Sequence, residues 1–140
     1  MKALNTRAGL STMWIFVMLN MIFADILGFM DSTMLKMYLS GHAEQVTITP
    51  TFLLVAAIVT QIPLAMIVLS RLLPDRANRW ANIVAAVLTA AYVIGGSSYS
   101  GPQYIFMVGV QSLALAVIAW SAWSTRPVRE HSAGLVASAR

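Results

Sequence analysis

The sequence contains no cysteine, and only 10% of its 140 residues are charged. The absence of cysteine excludes disulfide bonds, thiolate metal sites and a cysteine nucleophile. Soluble domains carry about 25% charged residues, so this chain has too few charges to cover a globule in water. With 59% hydrophobic residues and a mean hydropathy of +0.75, the composition excludes a soluble enzyme, a disordered chain and a nucleic-acid binder. It predicts a membrane protein.

Four apolar stretches are long enough to cross a bilayer, which takes about 20 residues of helix. They cover residues 13–30, 52–70, 80–96 and 104–123. Backbone groups in a bilayer must be hydrogen-bonded within the segment, which favours helices. The first stretch follows two basic residues, as in a signal peptide, but its apolar run is too long and no small-x-small cleavage site follows it. We therefore interpret it as a retained anchor.

The connections between the spans differ in length. Residues 72–78 (LLPDRAN) and 97–102 (SSYSGP) are predicted to be tight turns, with Pro74 ending one helix and Asp75 as the N-cap of the next. Helices joined by short links pack as antiparallel neighbours. The first connection, residues 31–51, is longer.

Within this first connection, the segment DSTMLKMYLSG begins with an Asp or Ser cap and ends at Gly41. Its apolar residues recur at helical spacing, which predicts a short amphipathic helix on the outer face, and residues 46–49 (VTIT) are predicted to be extended. The sequence therefore predicts an all-α membrane protein, an antiparallel four-transmembrane-helix bundle with a short amphipathic helix in the first, outer loop. Residues 1–126 form its single domain, and residues 127–140 form a loose cytoplasmic tail.

Lysine and arginine are distributed unevenly over the two sides of such a bundle. Eight of the nine lie in the N-terminal segment, the second connection and the tail, which share one side, and only Lys36 lies on the other. Cytoplasmic loops carry the excess of Lys and Arg, so we expect both termini and residues 71–79 in the cytoplasm. The four tryptophans fall near the same ends, where indoles settle at the headgroup level: Trp14, Trp80, Trp120 and Trp123.

Each predicted span also carries a polar side chain, which is costly in hydrocarbon. Asp25 is the only ionisable one, and no Lys, Arg or His lies in a span to pair with it. Low dielectric favours the protonated form of an unpaired carboxyl, so Asp25 is expected to donate a hydrogen bond. Asn20, Gln61 and Thr89 lie near the midplane. Gln111 lies at the depth of Asp25, which makes it the expected partner of Asp25.

Two interpretations of these five polar residues remain open. They hold the helices together through interhelical hydrogen bonds, each worth about 0.6 kcal/mol, or they form a proton-linked or substrate-binding site inside the bundle. Pro63 admits the same two interpretations, because a proline in a span either kinks the helix mildly or opens a binding site.

Small residues also recur on the first span. Ala24 and Gly28 are spaced four residues apart, and such a pair lets a neighbouring helix approach closely. We therefore expect this face to be buried against another helix, with Val17, Phe23 or Phe29 toward lipid.

The sequence contains no cofactor motif. His42 and His131 both lie in connections, so no buried haem or metal site fits the bundle, and His42 with Glu44 is interpreted as a solvated pair. No phosphate-binding glycine loop or paired carboxylates occur, so we expect no cofactor, no metal and no enzymatic activity. The arginines of the second connection are candidates for binding anionic lipid headgroups: Arg71, Arg76 and Arg79.

Two stretches resemble a family of small bacterial four-span membrane proteins without an assigned function. They are WIFVMLNMIFADILGFM (residues 14–30) and IPLAMIVLSRLLPDRANRW (residues 62–80). The resemblance runs over most of the chain up to the fourth span and implies a bacterial cytoplasmic-membrane protein. It also implies that six residues belong to the family pattern: Asn20, Asp25, Arg76, Asn78, Arg79 and Trp80. A looser similarity is to four-helix quinone- and thiol-linked membrane proteins, of which the thiol versions need cysteines that are absent here.

Two functions from different classes fit the sequence. The first is a non-enzymatic integral membrane protein that acts as an accessory or interaction component, as a homo-oligomer or in a larger membrane complex. The second is a small proton-coupled exporter of lipophilic or cationic compounds that uses Asp25. The chain resembles small multidrug-resistance transporters, which also have four spans and one acidic residue in the first helix. It departs from them in that Asp25 lies outward of centre and the second span has no aromatic motif. Membrane lipids are expected partners in both cases.

Overall fold

A computed structural model describes residues 2–43, 46–95 and 101–124 of the chain. Helices make up most of these residues: α1 (Lys2–Met30), α2 (Ser32–Leu39), α3 (Pro50–Leu72), α4 (Asp75–Gly95) and α5 (Pro102–Ser124). Two short strands, β1 (His42–Ala43) and β2 (Val46–Thr47), pair antiparallel between α2 and α3. The predicted tail, residues 127–140, and residues 96–100 of the last turn lie outside the described residues.

Four of the helices are long and apolar enough to cross a membrane, namely α1, α3, α4 and α5. They coincide with the four predicted spans, and α2 coincides with the predicted short helix of the first connection. The predicted fold class, an all-α four-helix membrane bundle, is confirmed. α1 is longer than its apolar stretch, because the helix continues through the polar N-terminal residues.

Local signals in the sequence set several helix ends. The Asp31 carboxylate accepts hydrogen bonds from two backbone N–H groups in the first turn of α2 and so caps that helix. Gly41 follows α2 with a φ of +78°, a backbone conformation that glycine adopts without steric cost. The Thr49 hydroxyl accepts a hydrogen bond from the first turn of α3, and Pro50 occupies the first helical position, where its missing N–H is harmless.

Asp75 belongs to α4 and is not its N-cap. The helix begins at Asp75, and the Pro74 carbonyl accepts a hydrogen bond from the Asn78 N–H, so Pro74 occupies the capping position. The predicted cap is therefore wrong by one residue. The Asp75 carboxylate instead pairs with Arg7 of α1, with 3.2 Å between Arg7 Nε and Asp75 Oδ1.

The spanning helices pack in a ring. α1 contacts α3 and α5, and α4 contacts the same two helices, so α1 and α4 lie diagonally opposite. We call the end that holds Arg7 and the link between α3 and α4 the basic end. The end that holds α2 and the two strands is called the open end.

The buried core lies in the half of the bundle next to the basic end. Its apolar members come from all four spanning helices: Leu10, Trp14, Val17, Met66, Ala85, Ala86, Ala114, Leu115 and Ile118. Lipid tails are as apolar as these side chains, so the core stabilises the bundle through van der Waals packing rather than through the hydrophobic effect.

Two residues of α1 are placed differently from the prediction. Trp14 and Val17 are 0% exposed, so the expectations of an interfacial Trp14 and a lipid-facing Val17 are wrong. Both sides of this helix are apolar, and only its position in the ring determines which side faces inward. The other three tryptophans are exposed, and so are Phe23 and Phe29, for which a lipid-facing position is predicted.

Candidate functional site

The open half of the bundle encloses a cavity of about 460 Å³. Its wall is mostly apolar, and the four spanning helices contribute polar side chains to it: Asp25, Thr60, Tyr92, Gln103, Tyr104 and Gln111. Ligand pockets have volumes of about 300–1,000 Å³ and apolar walls with a few polar groups. The cavity therefore has the size and the chemistry of a small-molecule site.

Among the described residues, Asp25 is the only charged one in the wall of the cavity. Its side chain is exposed, and it has no hydrogen bond or ion pair with the rest of the described chain. Tyr92 of α4, Tyr104 of α5 and Thr60 of α3 line the same cavity. An uncompensated carboxyl in such a wall can attract a cation or exchange a proton.

Gln111 lies where the cavity meets the core. Its side chain is 2% exposed, and its Nε2 has no hydrogen-bond partner among the described residues. A buried donor without a partner costs about 1–3 kcal/mol. A molecule in the cavity that carries an acceptor atom would supply the missing hydrogen bond.

Asn20 and Thr89 are also buried, but neither belongs to the wall of the cavity. Asn20 Nδ2 lies 3.8 Å from the Sδ of Met107, which is a weak acceptor. The Thr89 hydroxyl and the Asn20 Oδ1 have no partner in the part of the chain that the structure describes. These two side chains therefore lie between helices without forming a strong interhelical hydrogen bond.

Asp25 and Gln111, which were predicted to be partners because of their equal depth, line the same cavity, but no hydrogen bond joins them within the described structure. Gln61 lies elsewhere, on the exposed face of α3. Depth can be counted along a sequence, whereas the direction of a side chain depends on how its helix is rotated in the ring. The predicted polar layer is therefore divided between the cavity, the helix contacts and the outer surface.

The small residues of α1 face the cavity instead of a neighbouring helix. Ala24 and Gly28 both line it, and a Cβ at Gly28 would meet no atom within 4 Å. The expectation that this pair allows a close helix contact is wrong. The small side chains instead leave room for the cavity.

A network of buried hydrogen bonds closes the basic end. At its centre is Asn82 of α4, which is 0% exposed. Asn82 Oδ1 accepts hydrogen bonds from Trp14 Nε1 (2.7 Å) and Ser70 Oγ (3.1 Å). Asn82 Nδ2 donates to the backbone carbonyl and the side-chain oxygen of Asn78, at 2.8 Å each. One amide thus joins α1, α3 and α4, and a fully paired network of this kind makes the packing rigid.

Sequence reasoning missed this network, apart from placing Asn78 in the family pattern. The available signal was the spacing of Asn78 and Asn82, which puts both side chains on one face of α4. Polar residues near the end of a span normally contact water or headgroups, so the pair was not distinguishable from an interfacial one. Only the neighbouring helices show that it is buried.

The three candidate lipid-binding arginines have different surroundings. Arg71 Nε donates to Ser11 Oγ at 3.0 Å. The Arg79 guanidinium lies 4.5 Å from the centroid of the Trp123 ring, and its buried Nε has no hydrogen-bond partner among the described residues. Arg76 is exposed. Arg71 and Arg79 therefore link helices, and both Arg71 and Arg76 are exposed and accessible to a headgroup.

The described residues contain no group of three His, Asp or Glu side chains that could hold a metal ion. His42 Nδ1 lies 2.9 Å from the Ser40 carbonyl oxygen, and Glu44, its predicted solvated neighbour, lies outside the described residues. Among the described residues, the cavity is therefore the candidate functional site.

Residues 3–124 match the model of a family of unknown function, DUF6326. The chain belongs to this family. The match covers all four spanning helices, so the cavity and the Asn82 network both lie in the part shared with DUF6326. The predicted resemblance to a family without an assigned function is confirmed. No curated protein and no solved structure matches the chain significantly.

Proposed function

We propose that the protein is a small exporter of lipophilic cations in the bacterial cytoplasmic membrane, and that Asp25 binds the substrate and a proton in turn. The observation that carries this proposal is the cavity, in which Asp25 is the only charged group among the described residues and has no hydrogen-bond or ion-pair partner among them. An apolar wall suits a lipophilic body, and a carboxylate suits a cation. Proton binding removes the negative charge of Asp25 and so competes with the cation.

The difference between the two ends of the bundle supports the same function. The open half holds the cavity, whereas the basic half is closed by the core, the Asn82 network and the pair of Arg7 with Asp75. Alternating access requires a site that is accessible from one side while the other side is closed. With the basic end in the cytoplasm, as the lysine and arginine distribution predicts, the closed side is the cytoplasmic one, as the proposal requires for an outward-facing state.

An accessory or interaction component is the second candidate. The observation that favours it is Gln61, a polar side chain exposed in the middle of α3, where lipid offers no hydrogen-bond partner. A contact with another membrane protein would supply one. The two candidates are compatible, because Gln61 does not belong to the wall of the cavity.

Asp25→Asn tests the exporter. The change keeps the size and hydrogen-bonding capacity of the side chain and removes its charge. We expect binding of tetraphenylphosphonium to purified protein to weaken about tenfold, which is a loss of about 1.4 kcal/mol and is modest for one ion pair in a partly apolar site. Wild-type binding should also weaken as the pH falls, whereas binding to Asp25→Asn should not change with pH.

The matched measurement is proton-linked efflux of the same cation from liposomes. Efflux should stop in Asp25→Asn while the yield of folded protein stays normal. Equal binding and equal efflux in the two proteins, at every pH, would contradict the exporter. Loss of the folded protein would assign a structural role to the carboxyl.

Both termini and the basic end are proposed to be cytoplasmic, and single cysteines test this because the native chain has none. Ser98→Cys should react with a membrane-impermeant maleimide on intact cells. Ala77→Cys, at an exposed position in the first turn of α4, should react only after the cells are permeabilised. The reverse pattern would overturn the proposed orientation.

A further inference from the structure

The exposed face of α3 carries a regular seam. Its members are Leu54, Ile58, Gln61, Ala65, Val68 and Leu72, all of which are exposed. The steps between them alternate between four and three residues, which is the repeat by which one helix packs along another with knobs in holes. α3 contacts α1 and α4 within the chain, whereas the side chains of the seam are exposed.

Gln61 stands at the middle of this seam and midway between Pro50 and Leu72, the two ends of α3. Outside the cavity, it is the only polar side chain exposed in the central part of a span among the described residues. An amide in hydrocarbon without a hydrogen-bond partner is costly. The seam is therefore apolar except at Gln61, which lies at the depth where an amide without a hydrogen-bond partner is most costly.

We propose that α3 packs along this seam against α3 of a second copy of the chain, with the two Gln61 amides hydrogen-bonded to each other near the membrane centre. Both copies insert with the same orientation, because they carry the same lysine and arginine distribution. A two-fold axis along the membrane normal then places equal depths of the two α3 helices opposite each other. Each Gln61 meets the same residue of the other copy.

The chemistry of the amide favours a second copy over an unrelated partner. Gln61 carries both a donor and an acceptor, so two such side chains complement each other by symmetry. An unrelated span would need its own polar side chain at this depth and on the matching face. Ala57 and Ala65, one turn to either side of Gln61, are exposed as well, and small residues let two helices approach closely.

Single-cysteine crosslinking locates the contact. We expect Ile58→Cys and Ala65→Cys, on the seam, to form a disulfide-linked dimer when the purified full chain in liposomes is oxidised. Val55→Cys is the matched control, because Val55 is exposed on the same helix but lies on a different face. It should remain monomeric under the same conditions.

Gln61→Leu then tests the hydrogen bond. Polar contacts between membrane helices contribute about 0.6 to 2 kcal/mol, so the dissociation constant of the dimer should be about 3- to 30-fold higher in the variant. Energy transfer between labelled copies in liposomes, followed as lipid is added, measures this constant. The fold of each copy should not change, because Gln61 is exposed and no hydrogen bond joins its side chain to the rest of the described chain.

Several results would overturn the proposal. They are the absence of crosslinked dimer at both seam positions, equal crosslinking at Val55→Cys, or self-association unaffected by Gln61→Leu. Crosslinking in native membranes to a protein of different mass, without a dimer, would assign the seam to another partner. None of these results bears on binding of a cation in the cavity, so failure of the dimer and failure of the exporter are distinguishable.

Discussion

Replacing Asn82 with leucine is expected to lower the free energy of unfolding by about 2–4 kcal/mol, since buried polar groups that lose a partner cost about 1–3 kcal/mol each. Leucine has the branched shape of asparagine and a somewhat larger volume, and it leaves Trp14 Nε1, Ser70 Oγ and Asn78 Oδ1 without the partner they have now. Interhelical hydrogen bonds in membrane proteins average only about 0.6 kcal/mol, so most of the loss comes from the groups left unpaired. Unfolding by denaturing detergent, followed by tryptophan fluorescence, measures the change.

Gln61→Leu is the matched control for this experiment. It also exchanges an amide for leucine, but at an exposed position. In a detergent that keeps the chain monomeric, its free energy of unfolding should stay within about 0.5 kcal/mol of the wild type, as for surface substitutions in general. Equal effects of the two substitutions would show that the Asn82 network does not stabilise the basic end.

Replacing Gly28 with leucine is expected to abolish cation binding without loss of stability. Gly28 lines the cavity close to Asp25 in the sequence, and an added Cβ there meets no atom within 4 Å. The leucine side chain would extend into the space that a ligand needs, so binding of tetraphenylphosphonium should weaken at least tenfold. The helix itself should become more stable, because leucine is favoured over glycine in a helix by about 0.5–1 kcal/mol.

Gly109→Leu separates these two effects. Gly109 of α5 is exposed, does not line the cavity, and a Cβ there also meets nothing within 4 Å. This control should gain the same helix stability and keep full cation binding. A Gly28→Leu protein that is less stable than the wild type would instead support a close helix contact at Gly28. Unchanged binding would show that the cation does not occupy the cavity.

Much of the architecture follows from the sequence because it depends on local properties. The lengths of the apolar stretches predict four spans, and Asp31 and Gly41 predict the ends of α2, since capping and a positive φ act within one turn of a helix. Depth is also local, since it is a count of residues along a helix. Asp25 and Gln111, which a residue count places at one level, line one cavity.

The arrangement of the helices decided which side chains are buried, which line the cavity and which are exposed. Rotation of α1 in the ring buries Trp14 and turns Gly28 to the cavity, while rotation of α3 leaves Gln61 outside. In a water-soluble bundle, hydrophobic periodicity would indicate such rotations, because polar faces turn to solvent. In a membrane both the lipid-facing side and the core-facing side of a helix are apolar. The sequence by itself therefore determined which segments cross the membrane and at what depth each side chain lies, and only tertiary packing decided which side chains meet.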